Sequence, residues 1–303
     1  MNTYKFTFAY IVLNAVSAVV IHHVGNMIKL NVMIALSSFY ALIFFHLLNI
    51  GNIVSMYKKA FKNIKLCCLL VSIFAIMWWV CFLIPVYYTP AILMFYATAW
   101  PSLFGLFFTY MKKKESHSRI TFLTILTLII GFYFVLDYEQ EWSSMGLLVL
   151  LTTIAGITMY MYSKLSQSMN EVGFSPSEIL AIRFVFLTIF SLIYILNNGE
   201  LFNITANDLS YSLFVSMMSL IIPIYFSQIS ISKVGANNHS IVMGFTPFFC
   251  FGFEYIYFYF TSNNSAMVHV DGYFSIALAV VLVMYGLTSR NLENKICLET
   301  NIK

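Results

Sequence analysis

Apolar runs of about twenty residues, separated by short polar punctuation, recur along the whole chain. A helix needs that length to cross the hydrocarbon core of a bilayer. The pattern predicts ten spans, at 6–24, 29–49, 66–87, 89–111, 119–137, 145–166, 177–197, 209–232, 237–260 and 270–289. Connections between them are short, which leaves no room for an inserted soluble domain. Only the stretch around residues 50–65 is long enough to carry an amphipathic piece.

Two of these spans share an unusual plan. From Pro85 to Lys114 the chain reads PVYYTPAILMFYATAWPSLFGLFFTYMKKK, an apolar run with Pro101 inside it. From Lys233 to Phe260 it reads KVGANNHSIVMGFTPFFCFGFEYIYFYF, with Pro247 near the middle. Pro90 and Pro101 stand eleven positions apart, as do Ala236 and Pro247. Five spans per half is an odd number, so the second half must cross the membrane upside down relative to the first. Broken helices at matching places in two inverted halves mark the substrate pathway of many secondary transporters. The expected fold is therefore an all-α polytopic membrane protein of ten transmembrane helices, built as two inverted five-helix repeats over 1–140 and 141–303.

Composition agrees with this pattern. Of 303 residues, 60% are hydrophobic and 9% charged, against about 25% charged in soluble domains; the mean hydropathy is +0.84. The net charge of +4 does not point to nucleic acid, because the basic residues sit in small clusters between apolar runs, as topology signals do. With the N-terminus in the cytoplasm, fourteen of the sixteen Lys and Arg residues fall inside, Lys29 alone falls outside, and Arg183 lies within a span. Both termini are then expected in the cytoplasm of a bacterial inner membrane. The five cysteines have no metal-ligand or disulfide-framework spacing and read as packing residues. The first apolar run is longer than a normal signal-peptide core, so cleavage is not expected.

The two halves resemble EamA repeats of the drug/metabolite transporter superfamily. In the first half the resemblance rests on Tyr88-Thr89-Pro90-Ala91, Trp100-Pro101 and Glu115; in the second, on Gly146 to Leu165 and on Val234-Gly235-Ala236 with Pro247. The segment FYATAWPSLFG is also similar to a stretch of the YddG-type aromatic amino-acid exporters, and GFTP to its second-half equivalent. Two departures stand out: Pro90 replaces a usually small residue, and the second half has no acidic counterpart of Glu115. The resemblance implies a central cavity bordered by these helices.

Pro101 and Pro247 each remove a backbone donor and free a carbonyl, which is tolerated where helices face protein or a wet cavity. Both are expected as hinges, with a static kink as the other reading. Trp78, Trp79, Tyr96 and Trp100 would make a wall suited to flat or apolar solutes, since an indole N–H away from the interface needs a partner. Asn14, Tyr160, Tyr225 and Gln228 are the polar cavity candidates, with interhelical hydrogen bonding as the alternative for each. Thr152, Thr153, Thr158, Asn237, Asn238 and His239 are further polar groups at membrane depth. Glu178 and Arg183 are close enough in sequence to pair or to snorkel. Glu254 reads either as a proton-coupling carboxylate, its pKa raised by burial, or as an outer-interface residue. Pro223 reads as a simple kink.

No GxSxG, HExxH or phosphate-binding glycine loop is present, so neither an enzyme nor a resident cofactor or metal is expected. The expected function is a transporter working by alternating access, moving an amino acid or related metabolite out of the cell. An importer or exchanger of a scavenged metabolite, such as a nucleotide derivative or S-adenosylmethionine, is the alternative; a membrane-embedded enzyme or scaffold is a remote one. Expected partners are a small-molecule substrate and the lipid bilayer, not nucleic acid, with the protein a monomer or homodimer.

Overall fold

The computed structural model describes residues 5–25, 27–87 and 142–243, and the isolated positions Pro101, Thr246, Phe249, Cys250, Gly252, Phe253 and Ile256. Among the described residues the chain is helical, with no strand. The helices are α1 (Lys5–Gly25), α2 (Leu30–Leu48), α3 (Ile53–Lys62), α4 (Ile64–Tyr87), α5 (Trp142–Glu171), α6 (Pro176–Asn197), α7 (Ala206–Val215), α8 (Ile222–Val234) and α9 (Ala236–Met243).

Among the described residues, five stretches are long and apolar enough to cross a membrane: Lys5–His22, Leu30–Leu48, Ile64–Cys81, Pro176–Asn197 and Ala206–Val234. They coincide with the first, second, third, seventh and eighth expected spans. The sixth expected span lies within the 30 residues of α5, and α9 begins where the ninth was expected. The spans expected at 89–111, 119–137 and 270–289 lie outside the described residues.

The amphipathic piece expected around 50–65 is α3. Met56 and Ala60 are buried while Val54, Lys58 and Phe61 face outward. Helix α6 starts where Ser175 and Glu178 satisfy each other's backbone N–H groups in a capping box, with Pro176 in the first turn, where a missing N–H costs nothing. Thr205 and Asp208 do the same for α7.

Pro223 is accommodated differently from the simple kink the sequence suggested. The segment Ser216–Ile221 between α7 and α8 is a π turn, and the Ile222 N–H donates to the carbonyl of Met217, five residues back. Proline cannot donate to the preceding turn, and widening the helix there redistributes the bonds around the gap. Ser216 uses the wider turn to donate to the Ser37 carbonyl of α2 at 2.8 Å.

α2 packs along α6, α4 along α5, and α1 along α8. An aromatic core ties the first two pairs together: Phe45 stacks on Phe184 at 5.8 Å, and Phe74 meets Phe184 edge-on at 5.1 Å. The arrangement is inside-out relative to a soluble bundle. Phe186, Ile189, Phe190 and Ile193 of α6 are exposed, while Arg183, Thr188 and Ser191 of the same helix are buried. Polar groups turned inward and apolar ones outward are what hydrocarbon surroundings select.

Charge divides between the two ends. At one end Lys59 reaches both carboxylate oxygens of Glu178, at 3.0 and 3.1 Å, and Gln167 accepts from the Ala236 N–H at 2.9 Å. At the other end Lys29 faces Glu200 at 3.6 Å.

Candidate functional site: a hollow shared by helices from both parts of the chain

A hollow of about 50 Å³ lies between α1, α4, α5, α8 and α9. Tyr10, Asn14 and Ser17 come from α1; Phe74, Trp78 and Cys81 from α4; Tyr162 and Ser163 from α5; Ser227 from α8; His239 from α9. Helices from the early and late parts of the chain thus contribute to one wall. The volume suits ordered water and is far below the roughly 300–1,000 Å³ of small-molecule sites, so a metabolite would require the helices to part.

His239 organises the polar side. Its Nδ1 is 2.9 Å from the Ser230 hydroxyl and its Nε2 3.1 Å from that of Ser227, while its ring lies 5.1 Å from that of Tyr10. The Ser230 hydroxyl also bonds Thr7, linking α8 to the start of α1. Both ring nitrogens therefore have hydroxyl partners, which can donate or accept as the tautomer requires. Gly235 sets this up: at φ +80° and ψ 158° it turns the chain from α8 into α9, a conformation essentially restricted to glycine.

Of the residues expected from the sequence, Asn14 and Trp78 line the hollow. Trp79 packs edge-on against Phe190 and Tyr194 of α6. Tyr160 donates to Asn237 Oδ1 at 3.1 Å, a bond between α5 and α9 beside the hollow. Thr158 is satisfied within its own helix by the Ile154 and Ala155 carbonyls. Tyr225 is 37% exposed, 6.3 Å from the Phe45 ring. Gln228 is fully buried, and neither amide atom has a hydrogen-bond partner. Pro101 is helical and buried. Tyr96, Trp100, Pro247 and Glu254 lie outside the described residues.

The expected cavity residues and those that line the hollow differ by rotation about the helix axes. Successive helical positions differ by about 100°. Trp78 lines the hollow and Trp79 does not, Tyr162 lines it where Tyr160 does not, and Ile224 and Ser227 line it where Tyr225 and Gln228 do not.

Glu178 and Arg183 do not pair. The Glu178 carboxylate is committed to Lys59 and to the Ser175 N–H at 2.8 Å. Arg183 is completely buried, so it does not snorkel either. Its guanidinium lies 4.6 Å from the Phe74 ring centre, 4.8 Å from that of Tyr162 and 5.5 Å from that of Phe184. Among the described residues the hydrogen-bonding neighbour of its nitrogens is the Tyr162 hydroxyl, which lies beyond the distance of a fully formed bond. Cation–π contact contributes about 0.5–2 kcal/mol per ring, whereas an arginine at the centre of a membrane helix costs about 2.5–3.5 kcal/mol at the least. The rings offset part of the charge and leave the N–H donors unsatisfied.

Among the described residues no three His, Cys, Asp or Glu side chains are grouped closely enough to hold a metal ion. Compared with known families and curated proteins, the chain matches no family model and no curated sequence.

Proposed function

We propose that this protein is a secondary transporter of the bacterial cytoplasmic membrane, moving a small metabolite outward by alternating access. An amino acid or related metabolite is the proposed cargo. Two inverted halves form the transport unit, and both termini face the cytoplasm with the lysine-rich α3 end.

The observation that carries this reading is a correspondence between the two halves. Let α1 correspond to α5, α2 to α6, and α4 to the continuous stretch through α7 and α8. The packing of α1 on α8 then corresponds to that of α5 on α4, and the α2–α6 contact corresponds to itself. The ion pairs obey the same exchange. Lys59, between α2 and α4, pairs with Glu178 at the start of α6; Lys29, between α1 and α2, pairs with Glu200, between α6 and α7. Exchanging the halves turns one pair into the other, at opposite ends of the bundle. Inverted repeats form a binding site where they meet, near the midplane, and the hollow between α1, α4, α5 and α8 is where such a site would be expected.

The test is counterflow of radiolabelled amino acids in proteoliposomes holding the purified full-length chain. Accumulation of at least one labelled amino acid, dependent on internal unlabelled substrate, is expected. A chain that is folded and inserted but moves none of them, while exchanging S-adenosylmethionine or a nucleotide, would replace the exporter reading with that of a scavenging carrier.

A further inference from the structure

We propose that Arg183 is the anion-recognising group of the transport site, and that the cargo is a small apolar or aromatic molecule carrying a carboxylate. This inference rests on the carrier reading above and narrows its substrate.

Every described carboxylate is already engaged at a helix end: Glu171 with the Gln167 amide, Glu178 with Lys59, Glu200 with Lys29 and Asp208 in the cap of α7. None is left for Arg183. The guanidinium sits eight residues beyond Ser175, about 12 Å along α6 at the helical rise, which is too deep for its side chain to reach the interface. Three rings lie within 5.5 Å of its centre, and among the described residues its N–H groups have no carboxylate partner, only the neighbouring Tyr162 hydroxyl. A guanidinium presents paired donors that match the two oxygens of a carboxylate. An ionisable group held within a membrane bundle in this way marks a substrate or ion pathway.

The surrounding geometry links the arginine to the hollow. Phe74 and Tyr162 each touch Arg183 and each line the hollow. Arg183 does not itself line the hollow; these two rings are what connects it to His239, Asn14 and Trp78. Opening the hollow by parting α4 from α5 would separate these two rings and uncover the guanidinium. A bound carboxylate would then complete both Arg183 and the Tyr162 hydroxyl, and its apolar body would lie against Phe74 and Trp78. In the closed state the rings take the place of the anion, which lets the empty carrier return.

The experiment uses the intact chain in proteoliposomes and four probes of similar shape: phenylacetate, L-phenylalanine, L-phenylalaninamide and phenethylamine. On the unmodified protein the two carboxylates are expected to exchange or compete, and the amide and amine to be at least about tenfold weaker. Because that comparison needs no substitution, it stands even if a variant fails to fold. R183K is expected to raise KM for the carboxylates about tenfold or more, with a smaller change in kcat, and R183M to remove the preference for acid over amide. Equal handling of acid, amide and amine by the unmodified protein would overturn the role of Arg183 and leave the carrier reading standing. So would an R183M protein that is folded and still prefers the acid. If no probe of any charge binds or moves while the protein exchanges another cargo in the counterflow assay, this inference falls and the carrier reading stands.

Discussion

The Lys59–Glu178 pair joins the segment after α2 to the start of α6, and its strength can be worked out from its surroundings. The Glu178 side chain is 7% exposed and that of Lys59 39%. Lys59 can return to water when its partner is removed, so the roughly 3–5 kcal/mol cost of orphaning a fully buried charge does not apply. Exposed pairs are worth about 0.2–1 kcal/mol; contact with both oxygens and a sheltered carboxylate put this one near 1 kcal/mol. Glu178 also accepts from the Ser175 N–H, and Ser175 Oγ accepts from that of Glu178. Glu178→Gln keeps an acceptor for the cap and is expected to cost about 1 kcal/mol. Glu178→Ala also loses half of the capping box and is expected to cost about 2 kcal/mol. Equilibrium denaturation in detergent micelles, run as a double-mutant cycle with Lys59→Met, reads the coupling directly. Additivity of the two changes within about 0.3 kcal/mol, or Glu178→Ala no worse than Glu178→Gln, would refute the reasoning. The corresponding pair, Lys29–Glu200, is longer at 3.6 Å, and its lysine is 67% exposed; its coupling is expected to be smaller and to vanish in 1 M salt.

Three further outcomes follow from the same geometry. Gly235→Ala meets only Gln167 Oε1, at 3.8 Å, so space is not limiting; the positive φ is, and a loss of about 1–3 kcal/mol in detergent denaturation is expected. Trp78→Phe is expected to change the KM of whatever cargo is found, whereas Trp79→Phe leaves it unchanged, because only the first lines the hollow; matched kinetic effects would contradict the assignment. His239→Ala removes a ring bonded to two buried serines and is expected to lower stability by about 1–3 kcal/mol through the two lost hydrogen bonds, measured in the same denaturation assay.

Span position was legible in the sequence because hydrocarbon thickness sets run length, and α2 and α6 fall within a residue or two of their expected bounds. The amphipathic α3 was legible because it has two different faces. Rotation about the axis was not. α4 is apolar all the way round, so nothing in its pattern separates the Trp78 side from the Trp79 side. Tyr160 and Tyr162 differ by about 200° of helix, yet both are tyrosines in an apolar run. Hydrogen-bonding capacity gave Asn14 and Gln228 the same mark, although Asn14 lines the hollow and Gln228 does not. The state of Arg183 depended on a competition that sequence distance hides. Glu178 is five positions away on the same helix, but Lys59, 119 residues distant in sequence, holds its carboxylate.

Cys81 offers the most direct measurement of the central claim, because this native side chain lines the hollow. A version of the protein with Cys67, Cys68, Cys250 and Cys297 replaced by alanine carries it as the sole thiol. Membrane-impermeant maleimide applied from outside to cells, and from the cytoplasmic side to inverted vesicles, reads access from each face. Alternating access requires labelling from both faces, slowed by a transported cargo. A Cys81 inert from both faces in protein that still exchanges cargo would contradict it.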